Sequence, residues 1–104
     1  MPPINFNGLD TAVHGPIRLG AMTALQIDGK LDFTTLNKRL QVTDGSLGTH
    51  LQKLVEVRYI KSKKAFVRKR PKTTYKLTAT GKKALIKYLE SMQKLLDAVE
   101  EAGR

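Results

Sequence analysis

The sequence predicts an α+β fold that is mainly helical, and three observations lead to this prediction. A chain of 104 residues with 40% hydrophobic content suits one globular domain with a modest core. Leucines recur at helical spacing over much of the chain, whereas residues 59–77 follow the two-residue period of strands. The positive charge is concentrated in the same region, because residues 53–87 carry thirteen basic side chains and one acidic side chain.

The composition excludes several classes of protein. The absence of cysteine excludes disulfides, cysteine-based zinc sites and thiol catalysis. Two histidines and nine scattered carboxylates are a poor set of metal ligands, so we expect no metal and no cofactor. Gly-rich phosphate loops and nucleophile motifs are missing, so we expect no enzyme. No apolar run could cross a membrane and no signal peptide is recognisable, so we expect a cytoplasmic protein.

The position of the charge indicates the kind of partner. The net charge is zero over residues 1–52, +12 over residues 53–87 and −2 over residues 88–104, which gives +10 for the whole chain. A solvated surface usually mixes signs, so this segregation favours a polyanion. Nucleic acid is favoured over an anionic membrane, because the segment lacks the apolar face of an interfacial helix.

The start of the chain predicts a flexible arm and a first helix. Residues 1–9 are polar and rich in Pro, Asn and Gly, which is typical of a loose arm. Pro16 suits the first position of a helix that ends at Asp28. Leu19 and Met22 lie off its main apolar stripe, which predicts that something outside the domain covers them.

The next two helices are predicted to form a helix-turn-helix. A short edge strand at residues 30–33 precedes a helix over Thr34 to Gln41. A tight break follows, and Thr43 is a good N-cap for a third helix over Asp44 to Glu56. The buried stripe of this third helix consists of Leu47, Leu51 and Leu54.

Residues 59–77 predict a β-hairpin with a basic tip. Strands are expected at residues 59–67 and 74–77. The loop between them, residues 68–73, is expected to extend outwards with Pro71 at its tip.

Together these elements predict a winged helix-turn-helix, because a two-stranded wing directly follows the helix-turn-helix. We assign residues 10–78 to a winged helix DNA-binding domain. Thr78 then caps a long last helix, about Ala79 to Glu101. This helix lies in residues 79–104, which we assign to dimerisation within the same single domain.

One face of the third helix suits contact with DNA bases. It lies opposite the leucine stripe, and small or hydrogen-bonding side chains let a helix approach base edges in a major groove about 12 Å wide. The predicted contacts are Gly45, Ser46, Thr49, Gln52 and Lys53. Gly45 and Gly48 each lower helix propensity by about 1 kcal/mol relative to Ala, which indicates a purpose other than helix stability. The alternative is an ordinary solvated face.

The wing is expected to contact the DNA backbone and the minor groove. Residues 61–76 carry eight basic side chains and no acidic one, and phosphates would relieve their mutual repulsion. Arg68 and Arg70 flank the predicted tip and suit a narrow minor groove. The predicted wing contacts are Lys63, Lys64, Arg68, Lys69, Arg70, Lys72 and Thr73. The alternative is a loop that only aids solubility.

The histidines and the hairpin aromatics have structural interpretations. His50 lies about 60° from the centre of the leucine stripe, which favours local packing or hydrogen bonding over base contact. His14 is assigned no chemistry. Tyr59, Phe66 and Tyr75 are expected to fill the core under the wing, with stacking on single-stranded bases as the alternative.

The last helix is predicted to join a homodimer. It spans about 34 Å, more than a compact winged domain covers, and its apolar side chains continue to the end. The predicted interface consists of Leu19, Met22, Leu85, Tyr88, Leu89, Met92, Leu95, Leu96 and Val99. The alternative is that the helix folds back over its own domain.

Several segments resemble a known family. They are the runs His14 to Leu19, Phe33 to Leu36, Val42 to Leu54, and Arg70 to Gly81. Together they resemble the small single-domain winged helix-turn-helix regulators of MarR/ArsR type over roughly residues 10–97. The resemblance implies a dimeric DNA-binding transcriptional regulator whose third helix is the recognition helix. Such proteins often carry glycine where this chain has Arg58, so the helix end there has either a different C-cap or a strained one.

Three functions are compatible with these observations. The first is a sequence-specific transcriptional regulator, a repressor associated with the nucleoid, that binds double-stranded DNA as a homodimer. The second is an architectural, chromatin-type DNA-binding protein without base readout, and the third is a winged helix used as a protein-interaction module. The hydrogen-bonding face of the third helix favours the first. The family includes sensors of small-molecule effectors, but no residue pattern here indicates such a ligand.

Overall fold

The computed structural model describes residues 3–104, and its elements follow one another in the order predicted for a winged helix. They are α1 (Pro16–Asp28), β1 (Lys30–Asp32), α2 (Phe33–Leu40), α3 (Asp44–Glu56), β2 (Ile60–Val67), β3 (Arg70–Leu77) and α4 (Ala79–Ala102). Within the described residues these are four helices and one three-stranded antiparallel sheet, so the predicted fold class is confirmed. No helix in residues 3–104 is long and apolar enough to cross a membrane.

The segment before α1 contacts the body of the domain. The first two residues of the predicted arm lie outside the described residues. Leu9 packs against the core, and the N–H of His14 donates to the carbonyl of Asp10 at 2.7 Å, which closes a turn ahead of α1. Gly8 lies against α4, since a Cβ there would be 2.0 Å from the hydroxyl of Ser91. The arm therefore meets the last helix before the chain enters the first.

Side-chain caps fix where three of the helices begin. The hydroxyl of Thr43 accepts the N–H of Ser46 at 3.2 Å, and that of Thr78 accepts the N–H of Gly81 at 3.0 Å. Both predicted N-caps are thus confirmed. Helix α2 begins one residue earlier than predicted, because the carboxylate of Asp32 caps it by accepting a backbone N–H at 2.7 Å.

Residues 41–43 form the tight turn between α2 and α3. Helix α2 ends where Gln41 takes a left-handed conformation with φ 53°, and its N–H donates to the carbonyl of Asn37 at 2.8 Å. The side-chain amide of Asn37 donates to the carbonyl of Val42 at 2.8 Å and to the carboxylate of Asp44 at 2.9 Å. One asparagine therefore ties the end of α2 to the start of α3.

The strand order in the sheet is β1-β3-β2. Strand β1 pairs only with the part of β3 from Thr74 to Lys76, whereas β2 pairs with β3 along its whole length. The sheet is therefore three-stranded near the helices and a two-stranded ribbon beyond Thr74. This ribbon is the wing.

The tip of the wing differs from the prediction of a six-residue loop. A two-residue turn, Arg68-Lys69, closes the hairpin, and its φ values of 53° and 65° are both positive, as a type I′ turn requires. Pro71 lies within β3 opposite Phe66 rather than at the tip. Proline is tolerated there because β1 has ended and β3 has a free edge.

The hydrophobic core lies between the helices and the inner face of the sheet. Helix α1 is central to it and contacts α2, α3, α4 and β3, which explains why α1 is apolar on more than one side. The largest buried side chains are Val13, Met22, Leu25, Leu36, Leu47, Leu51, Leu54, Ile60 and Leu85. The expectation that something outside the domain covers Met22 is therefore wrong, because its own domain buries it completely.

Candidate nucleic-acid interface

Helix α3 turns one face to the core and the opposite face to solvent. The buried face consists of Leu47, Leu51 and Leu54. The predicted base-contacting residues lie on the other side: Gly45, Thr49, Gln52 and Lys53 are exposed, and Ser46 is half-buried. The structure thus brings all five predicted residues onto one accessible side of one helix.

Helix α3 carries no side chain at Gly45 and Gly48, so its backbone is accessible there. A Cβ added at Gly45 or Gly48 would meet nothing within 4 Å, so packing within the protein does not require glycine at either position. The hydroxyl of Thr49 donates to the carbonyl of Gly45 at 3.0 Å, which leaves its lone pairs and its methyl group free for base contacts. Glu56, at the end of the same face, is exposed and was not among the predicted contacts. Its carboxylate suits the amino group of cytosine.

The orientation of α3 is supported by Arg18, which the sequence interpretation did not identify. Its Nη1 donates to Nδ1 of His50 at 2.9 Å, and its Nε donates to the carbonyl of Ala12 at 2.7 Å. Its Nη2 donates to the carbonyls of Thr11 and His14, each at 3.1 Å. His50 thus forms a hydrogen bond within the protein, but its partner lies 32 residues away on α1 and not nearby in the sequence as expected. Because arginine only donates, Nδ1 of His50 is the acceptor of that hydrogen bond.

Arg58 resolves the two alternatives for the end of α3 in favour of a strained cap. Its φ is 64°, in the left-handed region that favours glycine. The N–H of Arg58 donates to the carbonyl of Val55 at 3.0 Å, and that of Tyr59 donates to the carbonyl of Leu54 at 2.9 Å. This pair of hydrogen bonds is a Schellman motif with arginine in the position that glycine usually takes. The exposed guanidinium projects from the junction between α3 and the wing.

The wing is basic and accessible along its length. Every residue from Lys61 to Lys72 is exposed, while Thr73 is half-buried. Among the predicted contacts, Lys72 also has a partner within the protein, since its Nζ lies 3.2 Å from the carboxylate of Asp32. The backbone hydrogen bond from Thr35 is the main cause that lowers the pKa of Asp32, and Lys72 adds to it. The other basic side chains of the wing are accessible to phosphates.

The hairpin aromatics separate into two groups. Tyr59 and Tyr75 are half-buried against the core, as expected. The hydroxyl of Tyr59 donates to the carboxylate of Asp10, and this hydrogen bond is the main cause that raises the pKa of Tyr59 to about 12. The expectation that Phe66 fills the core is wrong, because its side chain is 79% exposed on the part of the ribbon beyond β1.

The last helix has a buried first half and an exposed apolar second half. Leu85 and Tyr88 are only 2% exposed, and the hydroxyl of Tyr88 is hydrogen-bonded to Nδ1 of His14 at 2.8 Å. The expectation that these two side chains and Met22 face a partner is therefore wrong, because they belong to the protomer's own core. The remaining predicted residues are the exposed Leu89, Met92, Leu96 and Val99 and the half-buried Leu19 and Leu95.

A helix-turn-helix followed by a basic two-stranded wing defines a winged helix DNA-binding protein. The model of the winged helix DNA-binding domain family matches residues 17–96, and the chain belongs to that family. An uncharacterized protein of Methanocaldococcus jannaschii, MJ0432, is 35% identical over 69 residues, which cover 66% of this chain and 75% of that protein. The family points to DNA binding rather than to an enzyme.

Solved structures show the same fold. A transcriptional regulator homologue from Pyrococcus horikoshii is 26% identical, with a TM-score of 0.81 over 89% of this chain and 93% of that chain. YodB from B. subtilis is 18% identical, with a TM-score of 0.71 over 94% of both chains. NadR, crystallised with 4-hydroxyphenylacetate, is 24% identical, with a TM-score of 0.70 over 94% of this chain and 69% of that chain. The predicted winged helix-turn-helix fold is confirmed, and so is the predicted resemblance to transcriptional regulators.

Proposed function

We propose that this protein is a transcriptional regulator that binds specific sequences of duplex DNA as a homodimer. The observation that carries the proposal is the combination of two accessible surfaces on neighbouring elements. The polar face of α3 suits the major groove, and the basic wing that follows suits the adjacent backbone and minor groove. Neither surface contributes large side chains to the core.

The two surfaces have different parts in recognition. Thr49, Gln52 and Lys53 carry hydrogen-bonding groups that can distinguish base pairs in the major groove, and Gly45 lets the helix approach closely. The wing residues Lys63, Lys64, Arg68, Lys69, Arg70, Lys72 and Thr73 contact phosphates and the minor groove, and they supply affinity without reading bases.

The proposed dimer forms through the distal half of α4. Met92, Leu96 and Val99 are 40%, 49% and 71% exposed, and helical spacing places them on one side of the helix with Leu89 and Leu95. Leaving this side in water is unfavourable, whereas a two-fold partner would bury it. Leu19 extends the surface at α1. The same axis would set two recognition helices about 34 Å apart, which matches one turn of DNA.

Repression is the regulatory effect that we propose, because a bound dimer blocks other proteins from the same stretch of duplex. The protein would act in the cytoplasm, on the nucleoid.

An architectural, chromatin-type role is the second candidate. The observation that favours it is the density of exposed cations on the wing, which bind any duplex through phosphates. A protein-interaction role is the third, and the exposed apolar side of α4 is the surface it would use.

Competition binding at two salt concentrations separates these candidates. A labelled duplex that has been selected for binding is bound to the protein. It is then displaced by an unlabelled duplex of either the same sequence or a scrambled sequence, and the experiment is done with wild type and with a Gln52→Ala variant. We expect the wild type to prefer the selected duplex by at least about 10³-fold, and Gln52→Ala to lose about tenfold or more of that preference. Equal displacement by both competitors at both salt concentrations would support the architectural role instead. Failure to bind duplex DNA would leave only the interaction role.

A further inference from the structure

An exposed apolar pair lies near the tip of the basic wing. Phe66 and Pro71 are cross-strand partners, so their side chains share one face of the ribbon. Both residues are exposed, and Phe66 at 79% is the most exposed large hydrophobic side chain of the wing. With this exposure, packing within residues 3–104 does not explain a phenylalanine at this place.

The pair is surrounded by cations. Lys64 and Thr73 form the next cross-strand pair on the same face, and Arg68 and Lys69 make the turn beyond it. No acidic residue occurs in the sequence between Glu56 and Glu90. An apolar side chain flanked by cationic side chains suits a DNA duplex, because the apolar group can contact stacked bases while the cations contact the neighbouring phosphates.

The ribbon holds this pair away from the body of the domain. Pairing with β1 ends at Asp32 opposite Thr74, and four further pairs of β2 and β3 follow before the turn. At about 3.4 Å per pair the ribbon extends roughly 14 Å beyond the three-stranded part. Because of this length, the side chain of Phe66 can contact DNA at a place that the helices do not reach.

We propose that Phe66, backed by Pro71, is a wedge that enters the minor groove, partly unstacks a base step and bends the duplex. The inference rests on the proposed function, in which the wing lies on the minor groove. Flexible pyrimidine–purine steps are the sites where such a wedge unstacks bases at least cost. Lys64, Arg68 and Lys69 hold the flanking phosphates while the step opens.

The test compares Phe66→Ser with Val67→Ser in ligase-mediated cyclisation of a mixed-sequence duplex. Val67 is the neighbouring exposed apolar residue, 47% exposed, on the opposite face of the ribbon, so it is a matched control. A fragment of about 150 base pairs is used, because this is the persistence length of DNA and circles form rarely without bending. Binding to the same fragment is measured alongside by gel shift.

We expect wild type and Val67→Ser to raise the yield of circles to the same extent. With Phe66→Ser the increase should be at least about five-fold smaller, while the affinity for the fragment changes less than tenfold. Equal cyclisation by Phe66→Ser and wild type would overturn the wedge. So would wild-type protein that binds without raising the yield, an outcome that leaves the proposed function intact. Absence of duplex binding would overturn both. Phe66-dependent binding to anionic phosphatidylserine vesicles instead of DNA would replace the wedge with a membrane contact.

Discussion

Gly81 in α4 lies directly against the backbone carbonyl of Tyr59, the residue before strand β2. A Cβ at position 81 would be 1.9 Å from that oxygen, and the N–H of Thr78 donates to the same oxygen at 3.0 Å. The start of the last helix and the start of β2, the strand that continues into the wing, are therefore joined through one carbonyl. The position of the wing relative to the helices depends on this close approach.

The first prediction is that Gly81→Ala destabilises the fold. Alanine would raise helix propensity by about 1 kcal/mol, but the clash with a backbone atom cannot be relieved by a side-chain rotation. We expect a net loss of about 2 kcal/mol in the free energy of unfolding, measured with urea. The control is Gly48→Ala, where a Cβ meets nothing within 4 Å, and it should gain up to about 1 kcal/mol. A Gly81→Ala variant as stable as Gly48→Ala would refute the close packing of α4 against Tyr59.

The second prediction is that Arg58→Gly stabilises the fold. Arg58 has a φ of 64° in the Schellman motif, and glycine adopts this conformation without the steric cost that Cβ brings. We expect a gain of about 1 kcal/mol in the free energy of unfolding. Glu56→Gly, at the last residue of α3, serves as the control and should lose about the same amount. If Arg58→Gly brings no gain, the left-handed cap is not strained.

The third prediction concerns a double variant, Arg68→Asn with Lys69→Gly, at the tip of the wing. Asn-Gly is the preferred sequence for a type I′ turn, so the hairpin should be stabilised while two charges are removed. Binding to duplex DNA should weaken at low salt, and the slope of log affinity against log salt should flatten by about 0.9 for each phosphate that the variant no longer binds.

Lys94→Gln with Arg104→Gln removes two charges from α4 and its end, and should leave that slope unchanged. Identical slopes for the wing variant and wild type would show that the turn does not contact phosphate. Circular dichroism on heating checks that the wing variant is at least as stable as wild type.

The fourth prediction concerns the dimer. Leu95→Glu with Leu96→Glu places two charges in the proposed interface and should give a monomer of 11.6 kDa in sedimentation equilibrium at micromolar concentration. Ile27, at the end of α1, is 68% exposed and lies outside that surface, so Ile27→Glu should remain dimeric. A wild-type protein that sediments as a monomer, free and on DNA, would rule out the dimer.

Local features of the fold could be predicted from the sequence, whereas contacts between elements could not. Thr43 and Thr78 cap helices through bonds to residues three positions away, so both follow from short-range spacing. Burial of Met22 could not be assigned, because helical periodicity gives its side of α1 but not the neighbour that covers it. The bond from Arg18 to His50 depends on how α1 packs against α3, and no spacing rule encodes that.

The error at the wing has a different cause. A two-residue type I′ turn is usually signalled by Asn-Gly or Asp-Gly, whereas here two long cationic side chains take both positive-φ positions. Local preference therefore predicts a loop around Pro71 and places Phe66 in the core, whereas Phe66 lies on the exposed ribbon. The two residues that depart from the usual backbone preference lie at the proposed DNA-binding tip. Backbone strain of this kind is often found at functional sites.

Selection of bound sequences from a random duplex pool tests the central claim most directly. The account predicts enrichment of a near-palindrome whose half-sites are centred about one DNA turn, roughly 10 base pairs, apart. With Gln52→Ala, preference should relax at a symmetric pair of positions while the remaining positions keep theirs. A pool that stays random after repeated rounds, although the protein retains duplex throughout, would contradict sequence-specific recognition by α3.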